Sequence, residues 1–204
     1  MLFDPIYPDI DIRDFVICDW KDFYRDAKEP IPLNAPPPRG KEVDLRLFVD
    51  ADYANDKMNR RSRSGYIMYM NMSPISWKSK KQNNVEGAVF GSEFIAMKLG
   101  MEDSRALRYK LRMMGVPVDG PTYVYGDNLS VIFNTQKPES TLKKKSNSVA
   151  CHACRESVAM GEHLTSHIRS HLNPADLCTK VISGGNKRDS VIDLILHYLG
   201  DNNE

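Results

Sequence analysis

The chain predicts an α/β fold of the mixed α+β kind: a mixed sheet flanked by helices, behind an irregular N-terminal arm. Three observations predict it. From Val43, the apolar residues Val43, Leu45, Leu47 and Val49 alternate with Asp44, Arg46 and Asp50, the two-residue period of a half-buried strand. Past Phe90 the apolar spacing changes to three and four, the period of a helix lying on a core. Ahead of both, residues 1–42 hold seven of the twelve prolines and no sustained period, which predicts a linker or connection arm without a core of its own.

Taken in order, Phe15 to Asp26 allows one short helix within the arm, and the domain then runs over residues 43–200. Its first strand ends at Asp50. After the polar loop Asp52 to Ser64, Gly65 to Met72 and Ile75 to Lys78 read as two more strands turned at Ser73-Pro74, an antiparallel meander. Phe90, Phe94, Met97 and Met101 share one helical face over residues 88–100, with Gly100 as a stop signal. A second helix over Asp103 to Met114 carries Leu107, Leu111 and Met114 and closes at Gly115 and Pro117. There follow a strand, Thr122 to Gly126, a helix, Leu129 to Gln136, a lysine-rich loop, a helix over Ser148 to Met160 and a strand over Thr165 to Ser170. Asn173-Pro174 supplies cap and first-turn chemistry for a further helix, and the amphipathic stretch Asp189 to Leu199 comes last.

With 204 residues, 41% hydrophobic and 27% charged, the chain can fill one core, which excludes wholesale disorder. Its apolar runs fall far short of the roughly 20 residues a membrane span needs. The acidic, proline-bearing start lacks the parts of a secretory signal, so an intracellular place, cytoplasmic or nuclear, is expected. Cys18, Cys151, Cys154 and Cys178 are too few and too unevenly spaced for a disulfide framework. The net charge is only +1, but residues 1–44 hold ten acids and six bases and residues 45–204 hold seventeen acids and twenty-two bases. A mildly basic domain behind an acidic lead suits a polyanionic partner.

Four acids fall at element boundaries. Asp50 ends the first strand, Asp127 follows Tyr123-Val124-Tyr125-Gly126, Glu93 lies at the margin of the apolar stripe over 88–100, and Asp176 sits in the first turn after Asn173-Pro174. If the strands ending at Asp50 and Gly126 are neighbours, both carboxylates emerge at one sheet edge, where open sheets place their sites. Hard divalent cations take oxygen ligands, and a magnesium pair needs several carboxylates to offset its charge. Each acid also has a plain structural use, as turn former, dipole partner or solvated edge, and spacing alone leaves both readings open.

The motifs Val49-Asp50-Ala51-Asp52-Tyr53-Ala54, Arg61-Ser62-Arg63-Ser64-Gly65-Tyr66, Ser76-Trp77-Lys78-Ser79-Lys80-Lys81-Gln82, Glu93-Phe94-Ile95-Ala96, Tyr125-Gly126-Asp127-Asn128 and Ala175-Asp176-Leu177-Cys178-Thr179-Lys180 stand in one order. Together they resemble the ribonuclease H domain of copia-type retrotransposon Pol polyproteins over roughly residues 43–182. The resemblance implies a ribonuclease H-like fold with a five-stranded mixed sheet. It implies an active site of Asp50, Glu93, Asp127 and Asp176 holding two magnesium ions, or manganese in their place. The activity implied is cleavage of the RNA strand of an RNA–DNA hybrid during reverse transcription, by a monomeric domain with a reverse transcriptase upstream in the same polyprotein. The family helix commonly carries two acids where this chain has Gly91 and Glu93; Glu93 aligns with the second by the aromatic residue and alanine that follow it. Were the first the catalytic one, Gly91 would leave an inactive Pol fragment that only binds nucleic acid.

A competing metal reading comes from Cys151-x2-Cys154-x12-His167-x3-His171, the spacing of a two-Cys, two-His zinc finger. Against it, Ser148 to Met160 reads as one helix where a finger needs a hairpin. Arg105, Arg108 and Arg112 form a cationic stripe on the second helix, and with Lys78, Lys80, Lys81, Lys143, Lys144 and Lys145 they are candidates for tracking the phosphates of a hybrid. Trp77 is expected to pack in the core.

Overall fold

In the computed structural model, which describes residues 15–139, 147–193 and 195, one five-stranded sheet organises the chain. Strands β1 (Leu45–Asp52), β2 (Arg63–Met70) and β3 (Ser73–Lys81) form the antiparallel meander; β4 (Thr122–Gly126) and β5 (His163–His167) run parallel to β1. The order across the sheet is β3-β2-β1-β4-β5. β1 is therefore central and bordered by partners of both senses, the mixed sheet that the alternating pattern predicted.

The helices are α1 (Val89–Met113), α2 (Leu129–Gln136), α3 (Ser148–Ala159), α4 (Asp176–Thr179) and α5 (Asn186–Asp193). Pleating sends Leu47 and Val49 of β1 to one face, where they pack with Phe94, Met97 and Met101 of α1 and Cys151, Cys154 and Val158 of α3. Phe48 points the other way and packs with Ile67, Tyr69, Tyr125, Ile168 and Ala175, so the short α4 lies on the face opposite α1. Among the described residues no helix is long and apolar enough to cross a membrane.

Several boundaries differ from expectation for physical reasons. The two helices expected over 88–114 are one helix of 25 residues, because Gly100 is a packing glycine and not a stop. A Cβ there would lie 3.1 Å from Leu47 Cδ2 and from Val49 Cγ1, so its absence lets α1 close onto β1. The β2–β3 hairpin turns at Asn71, which takes a left-handed φ of 55°, two residues before Ser73-Pro74. β5 starts two residues early, at His163, and the last helix begins at Asn186; its expected continuation to Leu199 falls mostly outside the described residues. Trp77 is 69% exposed on the edge strand β3 and does not pack in the core.

Residues 15–42 contain turns but no helix, including over Phe15 to Asp26. They are nonetheless tied to the domain. Trp20 is buried in the α1–α3 core, and Phe15 meets Tyr123 and Tyr125 with ring centroids 5.0 and 5.6 Å apart. Glu29 is clamped by two guanidinium groups: Arg108 Nη2 donates to Glu29 Oε2 at 2.9 Å, and Arg112 Nη2 donates to the same oxygen at 2.9 Å. Burial raises the Glu29 pKa, but the hydrogen bonds from Arg108 and Arg112 outweigh it and hold the carboxyl at about 2. Arg108 is 1% exposed, so loss of Glu29 would leave a buried guanidinium short of its counter-ion.

Glu29→Ala is expected to cost about 3 kcal/mol of stability at neutral pH, measured by denaturant unfolding. The sign with pH follows from the depressed pKa. Glu29 contributes fully above its unfolded value of 4.5 and loses that contribution as pH falls toward about 2, so parent and variant should converge over that range. A chain starting at Val43 should keep a cooperative thermal transition at a lower temperature than the parent.

Candidate active site

Four acids meet at the carboxyl end of β1. Asp50 lies on β1 at 1% exposure, directly across the ladder from Gly65 of β2. Asp127 follows β4, the parallel neighbour whose Gly126 pairs with Val49. Asp176 opens α4 on the opposite face from α1 and is 1% exposed. Carboxylate oxygens of Asp50, Asp127 and Asp176 all lie within 4.8 Å of one another, close enough to share an ion. Glu93, on the second turn of α1, enters from the other face; it lines an open cavity of about 420 Å³ with Asp50, Asp127, Asn128 and Lys180.

The local sequence explains each placement. Asn128 caps α2, its side-chain oxygen accepting from Ser130 N at 3.1 Å and Val131 N at 3.3 Å, which turns the chain just after Asp127. Asn173 pins the segment before α4 to β1: its Nδ2 donates to the Val49 carbonyl at 2.9 Å and its Oδ1 accepts from Ala175 N at 3.1 Å. Gly65 supplies the room. A Cβ there would lie 2.6 Å from Thr179 Cγ2 and 2.7 Å from Cys178 Cβ, so only glycine lets α4 lie this close to β2.

Charge crowding dominates the electrostatics. Burial raises the Glu93 pKa, and the nearby carboxylates of Asp50 and Asp127 push it further, to about 9, against a hydrogen bond from the Ala51 backbone. Burial also raises Asp50, opposed by a hydrogen bond from Thr179 and by the Lys180 ammonium, with Asp176 and Asp127 adding to the rise. Lys180 Nζ lies 2.7 Å from Asp176 Oδ1 and 3.2 Å from Asp50 Oδ1, while the Thr179 hydroxyl donates to Asp50 Oδ2. A buried oxygen-donor set with surplus negative charge fits hard divalent cations.

The fold is that of ribonuclease H domains, and the sequence is similar to transposon Pol polyproteins. The chain is 29% identical over 145 residues to the retrovirus-related Pol polyprotein from transposon RE1 of Arabidopsis thaliana, a match covering 71% of this chain and 10% of that relative. It thus spans about a tenth of the length of that polyprotein. Its fold matches the N-terminal RNase H domain of Rv2228c from Mycobacterium tuberculosis, with a TM-score of 0.52 and 10% identity over 74% of this chain and 96% of the other. It also matches LC11-RNase H1, solved in complex with an RNA/DNA hybrid, with a TM-score of 0.52 and 13% identity over 67% of this chain and 94% of the other. No family profile matches the chain.

The structure gives most of the residues expected to contact phosphate partners within the chain. Arg108 and Arg112 are not on a phosphate-tracking face; both are committed to Glu29, 79 and 83 residues away in the chain. Arg105 binds the fully buried Glu162, Nη2 to Oε2 at 2.7 Å. Lys78 pairs with Asp103, and Lys81 with Asp56. Lys80 is exposed at the end of β3, with no ion pair among the described residues, and Lys143, Lys144 and Lys145 lie outside them. The finger spacing does not build a zinc site. Cys151 and Cys154 sit in the core on an unbroken α3, and the grouping of acids described above is the one such cluster found among the described residues. Burial raises both thiols, and His167 Nε2 instead lies 3.2 Å from the Asp127 carbonyl oxygen.

Sequence reasoning missed Thr179 and Lys180 as contributors to the site. The available signal was a lysine four residues after an acid on one helical turn, which brings the two side chains together. Gly65→Ala tests the placement of that turn. The added methyl must displace α4, so the variant should lose about 1–3 kcal/mol of stability. Its divalent-ion binding, followed by calorimetry, should weaken at the same time.

Proposed function

We propose that this chain is a retrotransposon-derived ribonuclease H that hydrolyses the RNA strand of an RNA–DNA hybrid, its reverse transcriptase lying upstream in a copia-type polyprotein. The observation that carries the reading is the convergence of Asp50, Glu93, Asp127 and Asp176 from four separate elements at one end of the central strand. Structural elements rarely bring four acids together, three of them at 1–7% exposure and Asp127 half-buried, without a cationic ligand, because each adds to the cost of the others. The likeness to LC11-RNase H1, which was solved with a hybrid, supports the substrate class.

Two divalent ions, magnesium or manganese, would supply the charge that activates a water and stabilises the leaving 3′ oxygen. Asp50, with a neighbouring acid on each side, would be the shared ligand. Glu93 and Asp127 would complete one position and Asp176 the other. Asn128 and Asn173 fix the backbone that carries two of these acids, and the cavity leaves the cluster open to a phosphodiester from the solvent side. Lys78, Lys80, Lys81 and Lys143 to Lys145 are the proposed phosphate contacts, with Lys80 the one whose exposure already suits the task. One observation favours a second reading, an inactive nucleic-acid-binding fragment: where the resembled helix carries a first acid, this chain has Gly91. The space above it is taken, since a Cβ there would lie 2.5 Å from Glu86 Oε2.

Glu93→Gln separates the readings. It keeps the shape of the helix and removes a ligand charge, so magnesium-dependent cleavage of a labelled hybrid should fall by about a hundredfold or more. Hybrid binding with calcium in place of magnesium should change little. Glu86→Gln, just ahead of α1, should leave the rate near the parent's. Equal losses in the two variants would place the wrong acid in the site, and a parent that binds hybrid without cleaving it would establish the inactive fragment.

A further inference from the structure

Lys180 is a cation set among the acids, and the reading above gives it no role. Its ammonium spans Asp176 Oδ1 at 2.7 Å and Asp50 Oδ1 at 3.2 Å, joining two carboxylates that are 2% and 1% exposed. Its own side chain is 37% exposed and lines the cavity shared by Asp50, Glu93 and Asp127. Asp50 is thereby divided in function: one oxygen accepts from Thr179, a fixed partner, and the other faces Lys180. Buried ionised carboxylates are costly to hold close without a counter-charge, and an ammonium on a flexible stem is a point charge able to leave toward solvent.

We propose that Lys180 is the resident counter-ion of this site: its ammonium holds the place between Asp50 and Asp176 until a divalent ion arrives, and metal binding there is an exchange of one cation for another. The proposal rests on the metal-dependent reading above. Lys180 is in this sense a positioning residue. It keeps the metal-free acids assembled and sets how much affinity is spent on displacing it. A neutral side chain should therefore have two opposite effects, a looser metal-free fold and a tighter grip on metal. A guanidinium, whose fixed fork of N–H donors can bind carboxylates bidentately, should be harder to displace.

The test uses the whole chain without nucleic acid, so that no activity enters. Parent, Lys180→Met, Lys180→Arg and the control Lys98→Met, which removes an i,i+4 pair with Glu102 on α1, are titrated with magnesium chloride by calorimetry. All four are also melted in chelator. Lys180→Met should bind magnesium about tenfold more tightly than the parent. It should melt several degrees lower in chelator and gain more on adding magnesium. Lys180→Arg should bind more weakly, which keeps the idea testable if Lys180→Met does not fold. Lys98→Met should match the parent in affinity. Equal or weaker magnesium binding by Lys180→Met, or parent-like binding by Lys180→Arg, overturns the exchange while leaving the metal site standing. No magnesium binding by any of the four proteins overturns the metal reading itself.

Discussion

The structure turns on one electrostatic constraint: four acids held within a small volume at the end of β1, three of them almost completely buried. Burial and, after it, the like charges of Asp50 and Asp127 disfavour the ionised form of Glu93, which is pushed up to about 9. Every element near the cluster bears on that strain. β1 and β4 lie side by side, so their ends bring Asp50 and Asp127 together; α1 crosses one face to deliver Glu93; and α4 docks on the other to deliver Asp176 with Thr179 and Lys180. Two glycines make the crossings close enough. Gly100 lets α1 down onto Leu47 and Val49, and Gly65 lets α4 down onto β2 opposite Asp50.

Those glycines also mark where the sequence could and could not be read. The alternation from Val43 and the apolar stripe from Phe90 report burial on one face, a property of neighbouring residues in the chain, and they placed the meander and the start of α1 well. Gly100 has the same local signature whether it ends a helix or admits a strand. The difference is a contact with Leu47, 53 residues away, which no local pattern records. Trp77 failed in the converse direction. Its strand lies at the sheet edge, and edge position is a fact of topology, invisible in the alternation of β3 itself. The candidate acids were legible because three of them sit at element ends, where spacing and sheet adjacency suffice, and because the motifs around them stand in a recognisable order. The Thr179 and Lys180 contacts needed the docking of α4 as well.

The arm illustrates how a segment without periodic structure still belongs to a fold. Residues 15–42 form no helix or strand, yet Trp20 fills part of the core and Glu29 balances two guanidinium groups on α1. Prolines prevented a regular element without preventing specific contacts. The cysteines show the same separation between pattern and place. Their spacing matches a metal motif, but helix α3 carries both Sγ atoms into an apolar core, where they serve as small hydrophobes.

Charge counting along the chain pointed to a basic domain, and the structure changes what that count means. Of the arginines on α1 expected to meet phosphate, Arg108 and Arg112 share the single carboxylate of Glu29 from the acidic lead, and Arg105 pairs with Glu162. Part of the contrast between acidic lead and basic domain is therefore an internal pairing, Glu29 with Arg108 and Arg112, and that part is not evidence of a polyanionic partner. On the β3 edge, the exposed Lys80 and its neighbours Lys78 and Lys81, paired with Asp103 and Asp56, remain candidates for an anion. A cluster that repels a phosphodiester when bare becomes attractive to one only after cations have settled among the acids. On the proposed function, binding of metal and binding of the nucleic-acid backbone would reinforce each other, since each removes a charge that the other would have to oppose.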